Sequence, residues 1–390
     1  MNKVSGPEKE SLIQFIDKIN NENSNRYNTF LYNLTSSSAR NVKEVKPIYS
    51  DNADLVDGRI ILRDNFHQMF EDIPEAMIFG EDVGKIGGVN QGVEGMQEKF
   101  GEERVADTGI RETTILGQGI GLSLRGLRPI AEIQYLDYLL YAFQTMADDL
   151  ASLHYRTYGG QISPVIIRTR GHRLEGIWHS GSPMGMIING TRGVNICVPR
   201  DMTRAAGFYN TLMISDEPAM VIECLNGYRT KEKMPSNIGE FRTPLGVIEV
   251  TKTGNDITLV SYGSTWRIVD DAANELEKLG ISCEVIDIQS IVPFDLNCEI
   301  VESVKKTNRL LVVDEDVPGG ASAYILQKII EDQKAYEYLD SSPSTLTAKA
   351  HRPPYGKDGD YFTKPSVNDV IEKVYSILNE ADPKKFPQLF

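Results

Sequence analysis

Val105 to Gly126 reads V-A-D-T-G-I-R-E-T-T-I-L-G-Q-G-I-G-L-S-L-R-G. Val105 and Ala106 close a strand and a short polar turn follows. Behind Glu112 the apolar positions Ile115, Leu116, Ile120, Leu122 and Leu124 recur at helical spacing. Glu112 therefore stands at a strand-to-helix junction on an apolar background. Two readings of it are open. An acid in the first turn of a helix is favoured by the helix dipole alone. A carboxylate drawn out of water by its apolar neighbours is costly, however, and needs either a proton or a hydrogen-bond donor. Glycines at 117, 119 and 121 predict that another backbone approaches this helix closely.

Working outward, Ile60 to Glu71 has the pattern of a helix and Ala76 to Phe79 that of a buried strand, followed by a glycine-rich loop from Gly84 to Gly95. Downstream, Ile130 to Ile133 and Pro164 to Arg168 read as strands with a helix from Tyr138 to Tyr155 between them, and Val194 to Val198 and Ala219 to Glu223 extend the series. Short hydrophobic strands alternating with helices imply a parallel sheet covered on both faces. Asn226 to Phe241, rich in Lys, Pro, Ser and Gly, reads as a linker. The alternation then restarts: strands at Asp256 to Tyr262, Cys283 to Asp287 and Arg309 to Val313, helices at Trp266 to Leu279 and Leu296 to Thr307. The fold class is α/β with two doubly wound domains, 56–235 and 236–390, behind an N-terminal extension or linker, 1–55. Within the extension Leu12, Ile13, Phe15, Ile16 and Ile19 are spaced for a short amphipathic helix. The Asn-, Ser- and Tyr-rich stretch after it reads as a connector, or as the tail of a missing first half in a fused polypeptide.

Composition excludes several classes. With 41 basic against 55 acidic residues the net charge is −14, which disfavours a nucleic-acid partner. No apolar run is long enough to span a bilayer and the first residues lack a signal-peptide core. Cys197, Cys224, Cys283 and Cys298 form no Cys-x-x-Cys pair and read as reduced residues of a cytoplasmic protein. No Gly-x-Gly-x-x-Gly is followed by a suitably spaced acid within one strand-helix-strand unit, so a dinucleotide fingerprint is missing.

Several motifs occur together in order. They are Phe79-Gly-Glu-Asp-Val-Gly84, the Ile110-Arg111-Glu112 region, A-E-I-Q-Y-L-D-Y from Ala131 to Tyr138, W-H-S-G-S-P from Trp178 to Pro183, V-P-R-D at Val198 to Asp201, and I-V-P-F-D at Ile291 to Asp295. Over most of Val56 to Leu378 the chain resembles the beta subunit, or beta half, of the thiamine-diphosphate-dependent decarboxylating component of 2-oxo acid dehydrogenase complexes, a transketolase-like family. The resemblance implies a pyrimidine-binding domain followed by a C-terminal assembly domain. It gives Glu112 the hydrogen bond to the pyrimidine ring nitrogen, a bond that a low-dielectric pocket strengthens. Arg111 departs from the small residue many such chains carry there. Tyr138 is implied as the aromatic stacked on the pyrimidine, with Ile110 and Gln134 lining the same pocket, and a core tyrosine is its alternative. His179 is implied to face the thiazolium, passing protons near neutral pH. Arg170, His172 and Arg173 form a basic cluster suited to an anionic substrate or cofactor, or else a solvated loop.

Binding the diphosphate through Mg2+ needs a Gly-Asp-Gly turn with an Asn further on. Gly356-Lys357-Asp358-Gly359-Asp360 comes nearest and reads as a turn. The resemblance thus implies an alpha-type subunit or domain that supplies the metal site, a homodimer of beta chains within a heterotetramer, a lipoyl acyltransferase as acyl acceptor, and a 2-oxo acid substrate. The acidic run Asp314, Glu315 and Asp316 is a candidate contact for that acyltransferase, or else a solvated loop, the more frequent reason for such a cluster. A transketolase-like or acetoin-cleaving enzyme, and a non-catalytic module on the same fold, are the alternatives.

Overall fold

The computed structural model describes residues 6–26, 30–171, 179–356 and 358–387. The first part of the chain carries β1 (Leu55–Asp57), β2 (Ala76–Gly80), β3 (Val105–Asp107), β4 (Arg128–Glu132), β5 (Ile166–Arg170), β6 (Asn195–Cys197), β7 (Ala219–Glu223) and β8 (Lys231–Lys233). The second carries β9 (Glu249–Lys252), β10 (Ile257–Ser261), β11 (Cys283–Asp287), β12 (Ser290–Val292), β13 (Leu310–Val313) and β14 (Ser344–Leu346). One sheet has the order β12-β6-β7-β5-β4-β2-β3 and the other β14-β13-β10-β11-β9. Every pairing in the first sheet is parallel except that of β12 with β6, and every pairing in the second except that of β9 with β11.

All five residues of β5, β7, β10 and β11 are buried. The largely apolar runs of β7 and β10 are what a strand covered on both faces demands, whereas β5 buries Arg168 and Arg170. β12 comes from the second half of the chain yet completes the edge of the first sheet beside β6. One apolar core runs on from Ile196 and Val198 through Val260, Tyr262, Ile286 and Ile288, so the two sheets share their packing.

The helix Glu112–Ser123 buries Glu112, Ile115, Leu116, Gly119, Ile120 and Ser123, a single stripe at helical spacing. The close approach of another backbone expected at its three glycines is not found among the described residues, and only Gly119 is closely packed, by side chains. A Cβ at Gly119 would lie 3.2 Å from Val165 and 3.3 Å from Ala131, whereas at Gly117 and Gly121 nothing lies within 4 Å. The helix expected over Tyr138 to Tyr155 is instead a 3-10 turn at Leu136–Tyr141, a π-helical stretch at Thr145–Ala151 and a short α-helix at Leu153–Arg156. The buried residues explain the change. Leu136, Leu139 and Ala142 recur every three residues and Met146 and Leu150 every four, so keeping them in one row tightens the winding and then loosens it.

Two segments read as connectors carry structure. In 226–241, β8 pairs antiparallel with β1, and Tyr228 and Phe241 are buried. In the extension, the helix Pro7–Arg26 is followed by a strap tied to the first sheet's domain. Buried Glu217 accepts hydrogen bonds from Asn33 N at 3.0 Å, Ser38 Oγ at 2.8 Å and Ala39 N at 2.7 Å. Further along, Val45 bridges to Arg242. Cys197, Cys224 and Cys283 are buried and Cys298 is exposed, all four as free thiols. No helix among the described residues is long and apolar enough to cross a membrane.

Since Glu217 alone satisfies these three donors, Glu217→Ala should lower the unfolding free energy by about 3 kcal/mol and open the strap to protease. Urea denaturation and limited proteolysis measure both. An unchanged midpoint with an intact strap would show that Glu217 does not hold it.

Candidate active site

In the first sheet the chain passes from β2 to β3 on one side and then returns to β4 on the other. Crossovers that leave in opposite directions open a crevice at the carboxyl ends of β2 and β4, the usual ligand position in such sheets. Glu81 and Asp82 follow β2 directly, and Gln134 lies just beyond β4. Gln134 Nε2 donates across the crevice to Asp82 Oδ2 at 3.2 Å. At the end of β3, Asp107 accepts from Gly84 N at 2.7 Å and Lys85 N at 3.0 Å, folding the glycine-rich loop back over the same edge.

Glu112 opens the helix that follows β3 and is 9% exposed. Among the described residues its carboxylate makes no hydrogen bond or ion pair. Both sequence readings of it hold in part, since it lies in a first helical turn and is also sequestered. Its charge is felt nearby. Burial, then Asp82 and Glu112, push the Glu81 carboxyl up from its ordinary value. Burial, then Tyr135, Glu81, Glu112 and Asp137, push the Tyr138 phenol up. Three carboxylates thus converge beside a neutral phenol.

The 3-10 turn Leu136–Tyr141 brings Tyr138 to this edge, and Thr113 Oγ1 donates to the Tyr141 carbonyl, tying the turn to the first turn of the Glu112 helix. The His179 ring centroid lies 4.8 Å from that of Tyr135 and 5.4 Å from that of Tyr138. Among the described residues, buried His179 Nδ1 has no hydrogen-bond partner. A carboxylate and an imidazole nitrogen, both lacking partners and flanked by aromatic faces, are suited to a flat nitrogen heterocycle.

Beneath the crevice lies a fully buried ion quartet. Glu132 accepts from Arg168 Nη1 and Arg170 Nη2, each at 2.6 Å, and Glu223 accepts from Arg168 Nε at 2.9 Å and Nη2 at 3.2 Å. Burial pushes Glu223 up, but Arg168, with Arg170 and the Tyr228 hydroxyl, outweighs it and holds the carboxyl below its ordinary value. Arg170 also donates to the Gln134 carbonyl at 3.2 Å, fixing the backbone that leads to Tyr135. This corrects the expectation that Arg170 attracts a ligand, because its charge is consumed inside. His172 and Arg173 lie outside the described residues. The acidic run is corrected too. Asp314, Glu315 and Asp316 are buried, and Asp314 accepts from Tyr262 Oη at 2.7 Å, Asp316 N at 2.9 Å and Ser322 N at 2.8 Å, so they brace the second sheet's edge rather than face a partner.

The structure therefore gathers Glu112, Gln134, Tyr138 and His179, while Ile110 stands 74% exposed on the turn before the helix. Sequence reasoning missed Glu81, Asp82, Tyr135 and Asp137. A signal existed for the first two, since Glu-Asp directly after the apolar run of β2 places acids at a parallel sheet's carboxyl edge.

Residues 56–230 match the transketolase pyrimidine-binding domain and residues 246–369 the transketolase C-terminal domain. The chain is 34% identical over 310 residues to the pyruvate dehydrogenase E1 component subunit beta of Staphylococcus epidermidis, covering 78% of this chain and 93% of that protein. It belongs to the transketolase-like E1 beta subunit family. The corresponding subunit of Staphylococcus aureus is 33% identical over the same length. Among solved structures, a split gene transketolase described as an inactive beta4 tetramer aligns with TM-score 0.66 over 84% of this E1-beta-type chain and 99% of its own, at 19% identity, which shows a shared fold.

Among the described residues of this E1-beta-type chain, Glu132 is the one acid bonded to both buried guanidinium groups. Glu132→Ala leaves them undercompensated and should destabilise the fold by about 3–5 kcal/mol, read by denaturant unfolding. A loss below about 1 kcal/mol would mean that the quartet behaves like a surface pair.

Proposed function

We propose that this chain is the beta component of a 2-oxo acid dehydrogenase, decarboxylating a 2-oxo acid on thiamine diphosphate and passing the acyl group to a lipoyl domain, active only with an alpha-type partner. The observation that carries this reading is the sequestered Glu112 carboxylate, left without an intrachain partner beside Tyr138 and the unpaired ring nitrogen of His179. We take 56–235 as the pyrimidine-binding domain, 236–390 as the assembly domain and 1–55 as the extension.

These residues fit the pyrimidine half of the cofactor. When bound, thiamine diphosphate supplies the nucleophilic carbon at which the oxo acid loses carbon dioxide. Glu112 shares a proton with the pyrimidine ring nitrogen, in a pocket where the missing competition of water makes that bond strong. Burial, then Asp82 and Glu112, raise the Glu81 carboxyl above its ordinary value beside the site. Tyr138 and Tyr135 give the heterocycle an aromatic wall. His179 donates a proton to the reacting oxygen or to the acyl acceptor. Among the described residues no group of three or more His, Cys, Asp and Glu side chains is arranged to hold a metal ion. In this proposal the Mg2+ and diphosphate contacts belong to the alpha-type partner, beta chains pair within a heterotetramer, and a lipoyl acyltransferase takes the acyl group.

Coexpression with an alpha-type partner tests the reading. The complex should reduce an artificial acceptor with a 2-oxo acid and thiamine diphosphate, and Glu112→Ala should lower turnover at least about 100-fold. Wild-type turnover in the variant would remove Glu112 from the chemistry. Activity with sugar phosphates alone would favour a transketolase-type enzyme, and a well-formed but inert complex a non-catalytic module.

A further inference from the structure

The loop that carries His179 is held at two points. On one side Ser182 Oγ accepts from Val317 N at 3.3 Å, from the loop after β13. On the other, Gly181 lies against Asp137 so closely that a Cβ at position 181 would sit 1.9 Å from Asp137 Oδ1 and 3.1 Å from its Cγ. The backbone of Gly181 is not in the left-handed region, so glycine is required here for space and not for conformation.

Asp137 belongs to the 3-10 turn Leu136–Tyr141, one residue before Tyr138, and Gly181 lies two residues after His179. Their contact therefore joins the two walls of the aromatic cluster. With the loop pressed onto Asp137, the His179 ring packs 5.4 Å from Tyr138 and 4.8 Å from Tyr135, and its Nδ1 stays out of water. We propose that Asp137 and Gly181 are a positioning pair that sets where the His179 imidazole stands, with no direct part in the chemistry. A side chain at 181 must move the Asp137 carboxylate, the turn or the loop. Because packed interiors shift rather than compress, moving the turn or the loop takes His179 off the aromatic wall.

The positional statement rests on geometry alone, and its consequence for catalysis rests on the function proposed above. Two readouts on the full chain separate them. The first is the Cε1–H NMR resonance of His179, assigned with His179→Gln, whose shift reports the ring currents of Tyr135 and Tyr138. Gly181→Ala should move that resonance toward the value of a solvated imidazole, and Gly181→Ala combined with Asp137→Ala should bring it back. If Gly181→Ala fails to fold, the double variant should fold. An unmoved resonance in Gly181→Ala overturns the proposal, as does a double variant no closer to wild type than the single one. The second readout is turnover in the reconstituted complex. Gly181→Ala should lower kcat by about tenfold or more with little change in half-saturating thiamine diphosphate, and the double variant should recover most of it. A displaced resonance with unchanged turnover would leave the positioning pair standing and remove His179 from the reaction.

Discussion

The molecule is organised around an uncompensated acid. A parallel sheet covered on both faces has a single place where backbone polarity, side-chain charge and open space meet, the carboxyl edge at the point where the crossovers diverge. Glu112 is delivered there by the turn after β3 and sealed by the apolar stripe of its own helix. Among the described residues its carboxylate has no donor, and that constraint bears on the rest of the site. The neighbouring acid Glu81 is driven toward its neutral form, the phenol of Tyr138 keeps its proton, and the imidazole of His179 is packed against aromatic faces instead of a countercharge.

Several other buried acids are met by donors within the chain. Glu132 and Glu223 share two guanidinium groups, Glu217 accepts three hydrogen bonds from the strap, and Asp314 accepts a phenol and two backbone amides. Removing a carboxylate from water costs several kcal/mol unless bonds replace it, and each of these is bonded. Against that background Glu112 stands out as a buried acid without a bond among the described residues. The quartet under the crevice serves the same end, since Arg170 fixes the Gln134 carbonyl and through it the start of the aromatic wall.

Much of this was legible beforehand. Period-two and period-3.6 patterns located the strands and most helices, because burial on a sheet or along a helix stripe repeats at the spacing of the element itself. Cys283 to Asp287 and Ala219 to Glu223 were read to the residue. The stretch after Tyr138 was misread, since its apolar spacing of three and then four averages to that of an α-helix while its backbone winds otherwise. Arg170 and the Asp314 to Asp316 run were misread for another reason. Charge in a sequence looks the same whether it faces water or a countercharge fifty residues away, and Glu223 lies at that kind of distance from Arg168.

Sequence alone determined the α/β class, the place of Glu112 at a strand-to-helix junction, and the order of motifs that ties the chain to its family, because all three depend on neighbours along the chain. Tertiary structure decided that β12 closes the first sheet, that four charges cancel beneath the crevice, and that Asp137 meets Gly181 beside His179. Those contacts join residues tens of positions apart, and their energies depend on burial and distance, which arise only when the sheets have packed.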